Sequence, residues 1–437
     1  MSSQPRHRFT NRAMIIVFAS LLTLNMYASA FSQTSENKIS ASLHFQQTLI
    51  MQANNNFPSP YAGQNSFLSK EPPALSVTSN FFLNIYLPGR FGIVFNPELS
   101  GGKALSGALG IAAFPNGDAF RIGKPTPQLS SGEIYLRKTF GISGSNSDND
   151  ASRLTFILGK FSIVDFFDRN AYSNDARTQF MNWALMNNGA WDYPADTRGY
   201  IPGFVAEYLN PTFTLRFAAT MQTSSANGPN FDPNIAKAHG FTLQGGYAYR
   251  LGGQPGKVRL LLYYNIGHFG NFNAATTNPI YDHNIVLTRQ YGRTKVGFGI
   301  NVQQRLCRDA GLFARIGWDN GQNETWSYTE IDRTVSAGIL TKPHLFGRKY
   351  DTFGIGAAVD GLSNAHRAYL ASGGYGFIIG DGKLPHYGLE SILETFYSFR
   401  VDKMLALSAD YQFVVNPAYN RDRGPVNIFG IRAHVTI

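Results

Sequence analysis

Residues 213–222 read FTLRFAATMQ, and their alternation decides the fold. Phe213, Leu215, Phe217, Ala219 and Met221 fall on one side of an extended chain, and Thr214, Arg216, Thr220 and Gln222 on the other. A period of two is the β-strand period. One side is wholly apolar, while the other carries a full charge.

The same pattern repeats in both directions along the chain. Clear alternating segments lie at 39–52, 76–87, 241–250, 258–267, 295–303, 352–360, 405–413 and 427–437, with weaker ones at 91–99, 132–140, 153–161, 198–209, 311–319, 333–340 and 389–400. Together they predict an all-β chain of about sixteen strands, each of the ~9–11 residues that a tilted strand needs to cross a bilayer. The polar sides carry Arg, Gln, Glu and Asn. A polar face turned inward and an apolar face turned to lipid is the arrangement of a water-filled transmembrane barrel. A soluble β-sandwich with half-buried strands is the alternative, but it leaves many apolar edges exposed, and closure removes them. Short links (88–90, 210–212, 251–257, 304–310, 401–404) alternate with long ones (53–75, 100–131, 162–197, 223–240, 268–294, 320–332, 361–388), as short periplasmic turns and long extracellular loops do. The links at 141–152 and 341–351 are longer but fall on the short-turn side.

Composition agrees. The 437 residues include 44 glycines and 56 Phe plus Tyr, but only 15% are charged, below the usual ~25%. Arg6, Arg8 and Arg12, the apolar run 13–24 and Ala28-Ser29-Ala30 predict a cleaved secretory signal over 1–30, leaving 31–437 as one barrel domain. Past the signal, no segment offers the ~20 apolar residues of a spanning helix. The single cysteine, Cys307, excludes a disulfide framework and a cysteine zinc site. No Lys/Arg run marks a nucleic-acid surface. No Gly-x-Ser-x-Gly elbow is present, and Asp319–Glu324 (DNGQNE) lacks the full pattern of a calcium loop. No catalytic residue, cofactor or metal is expected.

The longest interruption is 162–197, the third long loop. It holds Trp183 and Trp191 among Asp165, Asp168, Arg169, Asp175, Arg177, Asp192 and Asp196. A long loop without strands is either functional or disordered, and its aromatics argue against disorder. We expect it to fold into the lumen and narrow it, with helical character over 175–188 capped by Asp175. Asn182 and Trp183 would then point into the lumen, and Met181, Ala184 and Leu185 would pack on the wall.

The runs 57–61 (FPSPY), 114–117 (FPNG), 175–193 (DARTQFMNWALMNNGAWDY), 194–200 (PADTRGY), 313–315 (FAR), 380–382 (GDG) and 416–426 (NPAYNRDRGPV) resemble the carbohydrate-selective porin family of the OprB type. The likeness extends from about Leu43 to the C-terminus. It implies an outer-membrane barrel of about sixteen strands in the bacterial cell envelope that admits glucose-like sugars by passive, facilitated diffusion, with carbohydrate solutes and outer-membrane lipid as partners. Either a monomer or a homo-oligomer fits.

A sugar channel must replace water on hydroxyls without holding the sugar tightly. Aromatic faces suit the apolar side of a pyranose, and charged groups trade hydrogen bonds with its hydroxyls. The candidate pore-lining residues are Glu98, Arg121, Arg177 and Arg198 in or beside the second and third long loops, Glu133 and Arg137 on the wall, and Asp196, Trp183 and Trp191 in the third loop. The two tryptophans either touch sugar or anchor the loop. Arg153, Arg216, Arg259, Arg315, Glu394 and Arg432 also fall on lumen faces. Their arginine excess favours a second reading, a general or anion-preferring porin; an enzyme barrel or adhesin is a third.

Overall fold

A computed structural model describes residues 39–142, 152–344 and 347–437. The expected signal segment lies outside these residues. Sixteen antiparallel strands form a closed barrel: β1 (Ser40–Asn54), β2 (Ala74–Leu87), β3 (Phe91–Gly102), β4 (Gln128–Gly141), β5 (Arg153–Phe161), β6 (Ile201–Leu209), β7 (Phe213–Met221), β8 (His239–Leu251), β9 (Gln254–Phe269), β10 (Gln290–Cys307), β11 (Ala310–Asp319), β12 (Arg333–Thr341), β13 (Thr352–Gly361), β14 (Glu390–Arg400), β15 (Leu405–Val415) and β16 (Val426–Thr436). Each strand pairs with its sequence neighbours, and β1 closes on β16 from Gln46↔Thr436 to Asn54↔Ile428.

The alternation is realised as read. On β7, Phe213, Leu215 and Phe217 are 54, 52 and 38% exposed, whereas the intervening Thr214 is 6% exposed and Ala218 fully buried. A continuous band of exposed Leu, Ile, Val and Phe around a closed sheet is stable only in lipid. At the end that holds the described termini most hairpins are tight, the longer links after β4 and β12 apart: β8 turns into β9 through Gly252 and Gly253, both in the left-handed region, as a two-residue hairpin turn demands. Every long loop leaves from the opposite end.

Three short helices sit in those loops: α1 (Trp183–Met186), α2 (Phe272–Thr277) and α3 (Asn364–Ala371). The helix expected over 175–188 is reduced to α1. Asp175 caps one turn, accepting from the Arg177 amide at 3.0 Å and the Thr178 hydroxyl at 2.7 Å. The backbone then straightens because Glu394 on β14 takes the Met181 and Asn182 amides at 2.6 and 2.9 Å. Helix resumes with Asn182 as N-cap to the Ala184 amide. Here a wall carboxylate outcompetes local propensity.

Candidate functional site: the lumen constriction

The β5–β6 loop lies across the lumen, fastened by wall side chains that bond to its backbone. Arg315 on β11 donates to the carbonyls of Leu185 (2.8 Å), Met186 (3.2 Å), Ser173 (2.5 Å) and Asp168 (3.3 Å), and to the Asp168 carboxylate (2.9 Å). Arg432 on β16 donates to the carbonyls of Ala176 (2.6 Å) and Gln179 (2.8 Å). The wall is recessed to receive the loop. Gly299 and Gly317 face each other across β10 and β11, and a Cβ on either would strike the Asn188 carboxamide, at 2.3 and 2.0 Å. Arg315, Glu394 and Arg432 therefore do face the lumen, but each serves the loop.

Between this loop, the β3–β4 loop and the wall of β2–β4 is a cavity of about 340 Å³. Arg177 is its central charge. Its guanidinium donates to Asp118 Oδ1 (2.7 Å), Asn80 Oδ1 (2.6 Å) and Glu98 Oε2 (3.3 Å). The Tyr200 hydroxyl also donates to Glu98 Oε2, at 2.6 Å. Burial, and then the Glu98 carboxylate, hold the Tyr200 phenol well above the usual tyrosine range, so it stays a donor. Arg177 also lines a second hollow of about 100 Å³ on the turn side, with Tyr350, Arg400 and His434. It thus stands between the two.

Aromatic rings form the other element of the cavity. Tyr328, from the β11–β12 loop, lies between Trp183 and Tyr193 with ring centroids 4.2 and 4.1 Å away, each pair tilted by 32°. All three line the cavity. Several buried polar atoms of lining residues have no partner among the described residues: Trp183 Nε1, Asp118 Oδ2, Arg121 Nε and Arg198 Nη1.

Of the residues expected to line the pore, Glu98, Arg121, Glu133, Arg177, Trp183 and Arg198 border this cavity. Glu133 spans β4 and the loop, accepting from the Asn96 side chain and the Ser162 amide, both at 3.1 Å. The other three do not border it. Trp191 is 1% exposed, packed against Phe167 and Tyr193 in an apolar cluster with Ile201, Val205 and Leu261. It is an anchor, because its ring is enclosed between loop and wall. Asp196 pairs with Lys160 at 3.1 Å and caps a turn by accepting the Arg198 and Tyr200 amides, which uses up its oxygens. Arg137 sits opposite Gly92, near the turn end of the wall. Asn182, expected in the lumen, is fully buried and donates to Ala113 O (2.7 Å) and Gln412 Oε1 (3.1 Å). Sequence reading missed Asp118, Tyr200 and Tyr328. Asp118 follows directly on the FPNG run, which is the signal that points to it.

A model of the carbohydrate-selective porin, OprB family, matches residues 92–437. Among curated proteins, Porin AaxA of Chlamydia pneumoniae is 24% identical over 307 residues, covering 67% of this chain and 60% of that protein. Porin AaxA of Chlamydia abortus is 21% identical over 286 residues, covering 64% and 53%. The matched region thus spans less than two thirds of these relatives. The solved structure of Pseudomonas putida OprB superposes with a TM-score of 0.66 at 14% identity, covering 91% of this chain and 94% of that one. The channel DcaP of Acinetobacter baumannii gives 0.50 at 11% identity, over 94% and 100%. By the family match, and in a fold that agrees with it, this chain belongs to the OprB family of carbohydrate-selective porins of the bacterial outer membrane.

Proposed function

We propose that the barrel passes glucose-like carbohydrates down their gradient, and that the cavity around Arg177 is where they are selected. The observation that carries this reading is the pairing of two surfaces in one cavity: the Trp183–Tyr328–Tyr193 rings, and the Arg177–Asp118–Glu98 charges. Ring faces suit the C–H side of a pyranose, and fixed charges suit its hydroxyls. The unpartnered Trp183 Nε1, Asp118 Oδ2, Arg121 Nε and Arg198 Nη1 add donors and an acceptor for those hydroxyls. Exchange must be weak to allow passage; millimolar affinity corresponds to only about 4 kcal/mol, which two or three such contacts supply.

The test is concentration-dependent block of single-channel current by a panel of mono- and disaccharides. Millimolar block by hexoses is expected. Marked anion selectivity with no block by glucose would sink the sugar reading.

A further inference from the structure

We propose that a second site, on the lumen wall of β7–β9 on the turn side of the constriction, takes a small oxyanion: a phosphate, free or carried on a sugar. The strand register brings Thr214 and Arg216 on β7, Gln244 and Gly246 on β8, and Lys257 and Arg259 on β9 to one inward patch, with Gly246 paired to both Thr214 and Arg259. Gly246 contributes no side chain, so the side chains of Thr214, Lys257 and Arg259 lie directly over its backbone and against one another. A Cβ there would stand 2.4 Å from Thr214 Oγ1, 3.3 Å from Lys257 Cε and 3.6 Å from Arg259 Cγ.

The patch holds more positive charge and more donors than the protein uses. Arg259 is 7% exposed, yet Nε and Nη1 have no partner among the described residues; its Nη2 donates to Gln303 Oε1 at 3.0 Å. Thr214 Oγ1 and Gln244 Nε2 are also buried without partners. Glu207 is committed to the Arg216 guanidinium, and Asp168 to Arg315. Lys257 and Arg259 therefore have no carboxylate ion-pair partner among the described residues. Asp168 and Glu207 reach Arg259 and Lys257 only through space; a buried cation without a carboxylate in contact is costly, and free donors on a fork-shaped guanidinium suit phosphate oxygens. The site stands on residues other than those of the proposed sugar cavity, so its fate is separable from that reading.

The experiment is block of the intact channel in planar bilayers at fixed ionic strength by inorganic phosphate, glucose or glucose 6-phosphate. Phosphate is expected to block wild type well beyond an equal ionic strength of chloride. Arg259→Gln combined with Lys257→Gln should raise the half-blocking phosphate concentration at least tenfold while leaving glucose block, the readout of the sugar cavity, unchanged. Glucose 6-phosphate blocking at lower concentration than phosphate and glucose each assigns the site to sugar esters; equal block with phosphate assigns it to the free oxyanion. A wild-type current no more sensitive to phosphate than to chloride overturns the proposal, and so does undiminished phosphate block in the double variant. Should that variant fail to insert, the wild-type titration decides alone.

Discussion

Replacing Arg315 with alanine should unseat the constriction and leave the barrel standing. The guanidinium makes five hydrogen bonds into the β5–β6 loop, four to backbone carbonyls and one to the buried Asp168 carboxylate. Asp168 would keep the Asn188 amide and the Asn301 side chain as donors, but lose its counter-charge. Breaking a buried ion pair by deleting one member costs about 3–5 kcal/mol. The ladder of β11 with β10 and β12 runs through the Arg315 backbone, so the cost falls on the seated loop rather than on the sheet. At about 1.4 kcal/mol per tenfold, the ratio of seated to displaced loop drops by about 10² to 4 × 10³. Single-channel recording should then show a larger, noisier conductance and weaker sugar block, while the gel shift on heating reports an intact barrel. Arg315→Lys keeps the charge without the planar fork and should fall between. Wild-type conductance, noise and sugar block in Arg315→Ala would refute the idea that this side chain holds the eyelet closed.

Trp183→Ala should raise the half-blocking glucose concentration about fivefold, from loss of about 1 kcal/mol of ring contact; unchanged block removes Trp183 from the sugar path. Trp191→Ala, a buried truncation of about 3–5 kcal/mol, should instead raise current noise, and a clean loss of sugar affinity at wild-type conductance would contradict its anchoring role. Asp118→Asn removes the negative charge 2.7 Å from the Arg177 guanidinium and should move the reversal potential in a KCl gradient toward anion selectivity; no movement counts against Arg177 as the central charge. In the outer loops, burial alone would lower the His366 pKa, but Asp332 and Glu330 outweigh it and raise it to about 9, while His366 and Lys295 overcome burial to depress Asp332 to about 2. With a folded value above the free histidine's ~6.5, this pairing stabilises fully below that pH and is lost as pH climbs through 9. Proteolysis within residues 362–389 should therefore accelerate between about pH 6.5 and 9 and lose that dependence in His366→Asn; flat susceptibility would show that the pairing does not secure these loops.

The barrel was legible because its signal is repeated and local. Each strand writes its own period of two, so even the weak segment at 153–161 matches β5. The lumen side of Arg315, Glu394 and Arg432 was readable for the same reason. Their partners were not, because bonds to Leu185, Met181 and Ala176 depend on the path of a loop far away in sequence. Trp183 and Trp191 look alike in the chain; only packing places one at the cavity and the other beneath it. Tyr328 was invisible as a site residue because its value comes from standing between Trp183 and Tyr193, an accident of two loops meeting.

The way the eyelet is fastened also governs the order of its making. The bonds that seat it join Leu185 to Arg315, Met181 to Glu394 and Ala176 to Arg432, spans of 130, 213 and 256 residues. Contacts of such separation form late. A sheet in which only β1 to β10 have paired possesses the loop but none of these three clasps, and the Arg432 clasp requires β16 in place. Narrowness is therefore a property of the finished ring alone, and a barrel arrested during insertion would leak.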